Sequence, residues 1–155
     1  MNKCDLYNQA LSKWPGTALN LSDCGIGDKG AQKLSKWGGT YLNLSYNNIG
    51  DKGARSLGRW RGRSLELYRN KIGNVGVQAL SRWRGTTLDL RGNNIGDKGV
   101  QYFHNSIIKN LKLDDKYSDI ISCSRVNWDN YILDISNKLS DYLIIDVVGI
   151  VVDYI

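Results

Sequence analysis

Covalent chemistry finds few residues to work with in this chain of 155. His104 is the sole histidine; beside Cys123 it would form a bare thiol–imidazole pair of the kind used in acyl transfer. No acid or second nucleophile stands at a meaningful spacing from either. Asp114, Asp115 and Asp119 could attract a cation, but no glycine-centred calcium loop surrounds them. Cys4, Cys24 and Cys123 have neither metal-ligand spacing nor the even count of a disulfide set, which makes a reducing compartment the easier reading. These residues point away from catalysis, metals and cofactors, and towards non-covalent recognition.

Recognition chemistry is more abundant, and it is periodic. Four columns of residues recur every 23 positions. They are Ala18, Tyr41, Ser64, Thr87 and Asn110; Asn20, Asn43, Glu66, Asp89 and Lys112; Ser22, Ser45, Tyr68, Arg91 and Asp114; and Asp23, Tyr46, Arg69 and Gly92. Their members vary from copy to copy while the leucines between them do not. Tyrosine and arginine are frequent interface anchors. Tyr41, Asn43, Tyr46, Glu66, Tyr68, Arg69, Asp89 and Arg91 are therefore the candidate binding residues. A second set is basic: Lys13, Lys36, Arg59 and Arg82 precede tryptophans, Arg61 and Arg84 follow them, and Lys29, Lys52 and Lys98 lie upstream. Such cations beside aromatics could hold phosphates or nucleic acid. The plainer reading is a solvated face kept soluble by charge.

The elements that must position these residues are written in the same period. An L-x-L pair falls at Leu19/Leu21, Leu42/Leu44, Leu65/Leu67, Leu88/Leu90 and Leu111/Leu113. Three residues later comes Cys24, Asn47, Asn70 or Asn93, then Ile26, Ile49, Ile72 or Ile95, then a glycine. A fixed period in this range marks a stacked repeat architecture. Alternation along L-x-L predicts a short strand with both leucines inward. Asp28, Asp51, Asn74 and Asp97 have the chemistry of helix N-caps. Ala54, Leu57 and Trp60 predict one apolar face on a short helix. Gly30, Gly53, Gly76 and Gly99 recur inside that helix at some energetic cost, which predicts a close approach by a neighbouring element.

These motifs resemble the leucine-rich repeat family, whose signature is L-x-x-L-x-L-x-x-N/C-x-L. The D-K-G-A and N-V-G-V segments resemble its helix-bearing subclass, which includes ribonuclease inhibitor. The resemblance covers about residues 4 to 115. It implies an α/β right-handed solenoid with parallel strands on the concave side and short helices on the convex side. It also implies a ladder in which the Asn amides of Asn47, Asn70 and Asn93 bond to backbone groups of neighbouring turns, with Cys24 as an accepted variant. The first leucine of the signature is replaced by glycine in every aligned copy, as at Gly39, and the unit is short. The tryptophan column is expected to fill that volume.

The ends differ from the middle. Residues 5 to 14 align with the helical part of a unit, Leu11 and Trp14 included. After Val100 the pattern decays, with Lys116 and Ser118 where Asn and Ile belong, so the last strand is expected at about Asn110 to Asp114. Residues 116–155 read as a C-terminal cap of low regularity or a partly disordered tail, following repeats over 1–115. Up to Leu113 there are 18 Lys and Arg against 7 Asp and Glu, a surplus of +11; from Asp114 onward 3 stand against 8, a deficit of −5. No signal-peptide core or stretch of about 18 apolar residues is present. The expected setting is cytoplasmic, or outside the cell by a route needing no recognisable signal. The functional expectation is non-enzymatic protein–protein interaction through the concave surface, without a cofactor or a membrane span. The alternative is an electrostatic binder of nucleic acid or anionic surfaces through the basic convex face.

Overall fold

The computed structural model describes residues 16–104 and 106–117. Each unit contributes a three-residue strand and a short helix. They run β1 (Ala18–Asn20), α1 (Gly27–Leu34), β2 (Tyr41–Asn43), α2 (Asp51–Leu57), β3 (Ser64–Glu66), α3 (Asn74–Leu80), β4 (Thr87–Asp89), α4 (Asp97–Val100) and β5 (Asn110–Lys112). A turn of 3-10 helix at Gln101–Phe103 extends α4, and another at Asp115–Tyr117 follows β5. The strands form one parallel sheet in the order β1-β2-β3-β4-β5. Parallel neighbours cannot be joined by a hairpin, so the chain crosses over through each helix, and crossovers of this kind are right-handed in nearly all proteins. The last strand stops at Lys112, two residues before the expected Asp114.

Register places the leucines in rows. Leu19, Leu42, Leu65, Leu88 and Leu111 are successive partners across the sheet. The inner three are fully buried, and the outer two, each with one strand partner among the described residues, are partly buried. The second leucines continue the ladder: the Leu44 N–H donates to the Glu66 carbonyl at 2.8 Å and the Leu67 N–H to the Asp89 carbonyl at 2.8 Å. Behind the sheet lie Ala54, Leu57, Val77 and Leu80 from the helices. No single unit could bury this surface alone; stacking makes one continuous core.

The tryptophans fill the space vacated by the missing leucine. Trp37, Trp60 and Trp83 are buried and stacked, with centroids 6.1 and 6.0 Å apart and planes within 8°. A Cβ built on Gly39, Gly62 or Gly85 would sit 2.0–2.1 Å from the nearest ring atom of Trp37, Trp60 or Trp83 respectively. The glycine is what admits the indole. Two of the three indole N–H groups are tied along the stack, Trp60 Nε1 donating to the Trp37 carbonyl and Trp83 Nε1 to the Trp60 carbonyl, both at 2.8 Å.

The expected N-caps need correction. Asp28, Asp51, Asn74 and Asp97 do not cap their own helices, whose flanking residues carry no side-chain cap bond. Asp28 instead accepts the N–H groups of Gly50 (2.7 Å) and Gly53 (3.0 Å) at the start of α2. Asp51 does the same for Gly73 and Gly76 of α3, and Asn74 accepts from Gly96 before α4. Parallel helices put one side chain beside the next helix's unpaired N–H groups, where its charge meets the positive end of that helix.

At the C-terminal side the turn is rebuilt rather than lost. In earlier units a backbone N–H, from Lys71 or Asn94, meets the carbonyl of Ile49 or Ile72. At the last turn the buried Tyr117 hydroxyl donates to the Ile95 carbonyl at 2.9 Å. The expected helix over residues 5 to 14, with Trp14, lies outside the described residues. So do Cys4, Cys123 and the segment after Tyr117.

Candidate binding face

The asparagine ladder fixes the loops that lead away from the strands. Asn70 Oδ1 accepts the N–H groups of Asn47 (3.1 Å) and Ile49 (2.9 Å), while Nδ2 donates to the carbonyls of Leu44 (2.9 Å) and Leu67 (3.0 Å). Asn47 makes the equivalent set with Cys24, Ile26, Leu21 and Ser45. Asn93 accepts from Ile72 and donates to Leu67 and Leu90. Each amide therefore ties its own turn to the one before. Leaving such a buried group unsatisfied costs about 1–3 kcal/mol. Cys24, in the first described turn, directs its thiol to the nearby Ser22 carbonyl at 3.6 Å.

Held by this ladder, the variable columns share one face of the sheet. Tyr41, Asn43 and Glu66 stand half-buried on β2 and β3. Burial first, and the Glu66 carboxylate second, raise the Tyr41 phenol above its ordinary pKa. Asn43 turns its side chain to its own backbone, accepting the Ser45 N–H at 2.9 Å, as Asn20 does for Ser22. Asp89 has the same local role towards Arg91 and adds a two-pronged ion pair, Nε–Oδ1 3.0 Å and Nη2–Oδ2 2.5 Å. Asp89 is only 5% exposed, so it reaches the surface through Arg91 rather than by itself. The contact with Asp89 raises the Arg91 pKa further.

Four candidates converge. Tyr46 and Tyr68 meet edge to face with centroids 5.3 Å apart. The Arg69 guanidinium lies 5.7 Å from the Tyr46 ring centre and 5.5 Å from that of Tyr68. Arg91 also lies 5.6 Å from the Tyr68 ring centre. Cations over aromatic faces are each worth about 0.5–1 kcal/mol when exposed. The cluster borders a shallow depression of about 420 Å³ lined by Ser22, Asp23, Asn43, Ser45, Tyr46 and Tyr68. Arg91 is neutralised by Asp89, whereas Arg69 has no carboxylate partner among the described residues.

Backbone conformation adds a feature that residue types alone do not show. Asp23, Tyr46, Arg69 and Gly92 occupy one column, and all have positive φ, from +50° to +69°. Only glycine takes this conformation without steric cost. Gly92 was the available signal that the whole column is left-handed. Ser22, Asp23 and Ser45, members of the variable columns outside the eight candidate binding residues, also line the depression. No group of three or more His, Cys, Asp or Glu capable of holding a metal occurs among the described residues. Nor is any described helix long and apolar enough to cross a membrane.

The family model described as Leucine Rich repeat matches four consecutive stretches, residues 17–35, 40–58, 63–81 and 86–103. No curated protein matches the chain.

Proposed function

The chain belongs to the leucine-rich repeat family, whose members are generally protein–protein interaction modules and typically not enzymes, and from that premise we propose that it binds a protein partner through the strand face, centred on Tyr46, Tyr68, Arg69 and Arg91. The observation that carries this reading is the pair of bulky residues, Tyr46 and Arg69, kept at left-handed positions in the column where Gly92 is free of that cost. A non-glycine residue there costs about 1–2 kcal/mol. Strain of this kind gathers at functional sites, where a side chain must be aimed. Here it aims an aromatic and a cation into the same cluster.

The chemistry of the cluster supports a partner of complementary chemistry. Tyr46 and Tyr68 offer apolar rings with polar tips, and Arg69 offers a charge with no carboxylate partner among the described residues. A complementary segment presents a carboxylate to Arg69 and an apolar group to the depression beside Tyr46. The test is affinity capture followed by mass spectrometry, comparing the intact chain with a Tyr46→Ala, Tyr68→Ala, Arg69→Ala variant. The partner recovered with the intact chain should vanish with the variant while circular dichroism stays unchanged. Capture that survives all three substitutions places the contact elsewhere.

A further inference from the structure

On the helix side, the geometry points to a separate binding site for a compact, multiply charged phosphate ligand, built from Arg59, Arg61, Arg82 and Arg84. These four arginines line a groove of about 500 Å³ together with Gly58, Trp60 and Gly62, where α2 and α3 hand over to β3 and β4. That volume lies within the range of small-molecule sites, about 300–1,000 Å³. All four side chains belong to exposed residues, and no carboxylate lines the groove. Among the described residues the only ion pair is Arg91–Asp89, so none of the four has a carboxylate partner among them.

Repetition does not account for this arrangement. The two central units read R-W-R-G at 59–62 and 82–85, whereas the flanking ones read K-W-G-G at 36–39 and N-S-I-I at 105–108. A cation just after a helix is favoured by the negative end of that helix, which accounts for Arg59 and Arg82 as it does for Lys36. The second arginine of each pair, four residues beyond Leu57 and Leu80, lies past that influence. Its presence in two adjacent units brings four planar forks to one place. Such forks bind phosphate oxygens two at a time, which an ammonium cannot do.

The neighbouring aromatic decides what kind of phosphate. Trp60 is 2% exposed and its N–H is already committed to the Trp37 carbonyl. It offers no ring on which a base could stack, and stacking is what single-strand binders add to charge. The groove therefore suits a short polyphosphate group rather than a nucleic-acid strand. The site is independent of the strand-face cluster, and the variants that test it leave Tyr46, Tyr68 and Arg69 intact.

Isothermal titration of the full chain with inorganic tripolyphosphate tests the proposal, with three variants in parallel. One-to-one saturable binding is expected, weakened at least tenfold by Arg61→Gln with Arg84→Gln and unchanged by Lys29→Gln with Lys52→Gln. Arg61→Lys with Arg84→Lys keeps every charge and should still weaken binding severalfold. Equal losses from the arginine and lysine pairs of Gln substitutions would mean a diffuse field and overturn the site, as would the absence of saturation. An oligothymidylate that displaces tripolyphosphate at equal phosphate concentration would overturn the compact-ligand assignment.

Discussion

Asp51 and Gly76 are joined across a repeat boundary: the aspartate Oδ1 accepts the glycine N–H at 2.9 Å and that of Gly73 at 2.7 Å. A Cβ on Gly76 would lie 2.7 Å from that oxygen, so carboxylate and glycine require one another. Asp51→Ala should cost about 1–2 kcal/mol, the usual range for a lost cap plus its helix-end charge. Asn74 occupies the same place but supplies a neutral oxygen. Asn74→Asp should therefore stabilise the array by about 0.3–1 kcal/mol. Urea melts of the two variants check both signs.

Gly62 and Gly38 lie in equivalent loops and should respond oppositely to alanine. At Gly62 the new methyl would fall 2.1 Å from the Trp60 ring, and the indole would have to leave its stack. Overpacking of this kind costs about 1–3 kcal/mol. At Gly38 nothing lies within 4 Å, and its φ is not in the left-handed region. Gly38→Ala should be neutral or stabilising by about 0.4–1 kcal/mol through the unfolded chain. Thermal melts, with tryptophan fluorescence to report on the stack, separate the two.

Arg69→Gly should dissociate stability from binding. The substitution removes two exposed cation–aromatic contacts and relieves a positive φ, terms of similar size and opposite sign. The unfolding free energy should stay within about 1 kcal/mol of the parent chain. Capture of the partner should fall sharply. A large loss of stability would assign Arg69 to the scaffold instead.

Tyr41 gives the strand face a pH signature. Its phenol is held above the ordinary value of 10.0 by burial, and then by Glu66. Because the folded chain keeps this proton to higher pH than the unfolded chain, the associated stability is fully present below pH 10.0 and is lost as pH rises through the folded value. The difference in ultraviolet absorbance between the parent chain and Tyr41→Phe during alkaline titration isolates this group. Glu66→Gln should lower the midpoint only partly, since burial is the larger cause.

The repeat, the strand register and the leucine rows were legible in the sequence because each depends on a local pattern copied at a fixed interval. Leu42, Leu65 and Leu88 could only form one row if the copies stack in parallel. The tryptophan-for-leucine exchange was also legible, since Trp37 and Gly39 sit two residues apart and recur together at that spacing in every aligned copy. Individual hydrogen bonds were not. Asp51 has the composition of a cap wherever it stands, and only the packing of α2 beside α3 decides whose N–H groups it meets. Likewise the sequence places Asp89 and Arg91 in outward columns, but only the fold shows that one is buried beneath the other. Local spacing determines which residues share a face. Their contacts across units depend on distances of a few ångströms that no single unit contains, and those were decided by the tertiary structure.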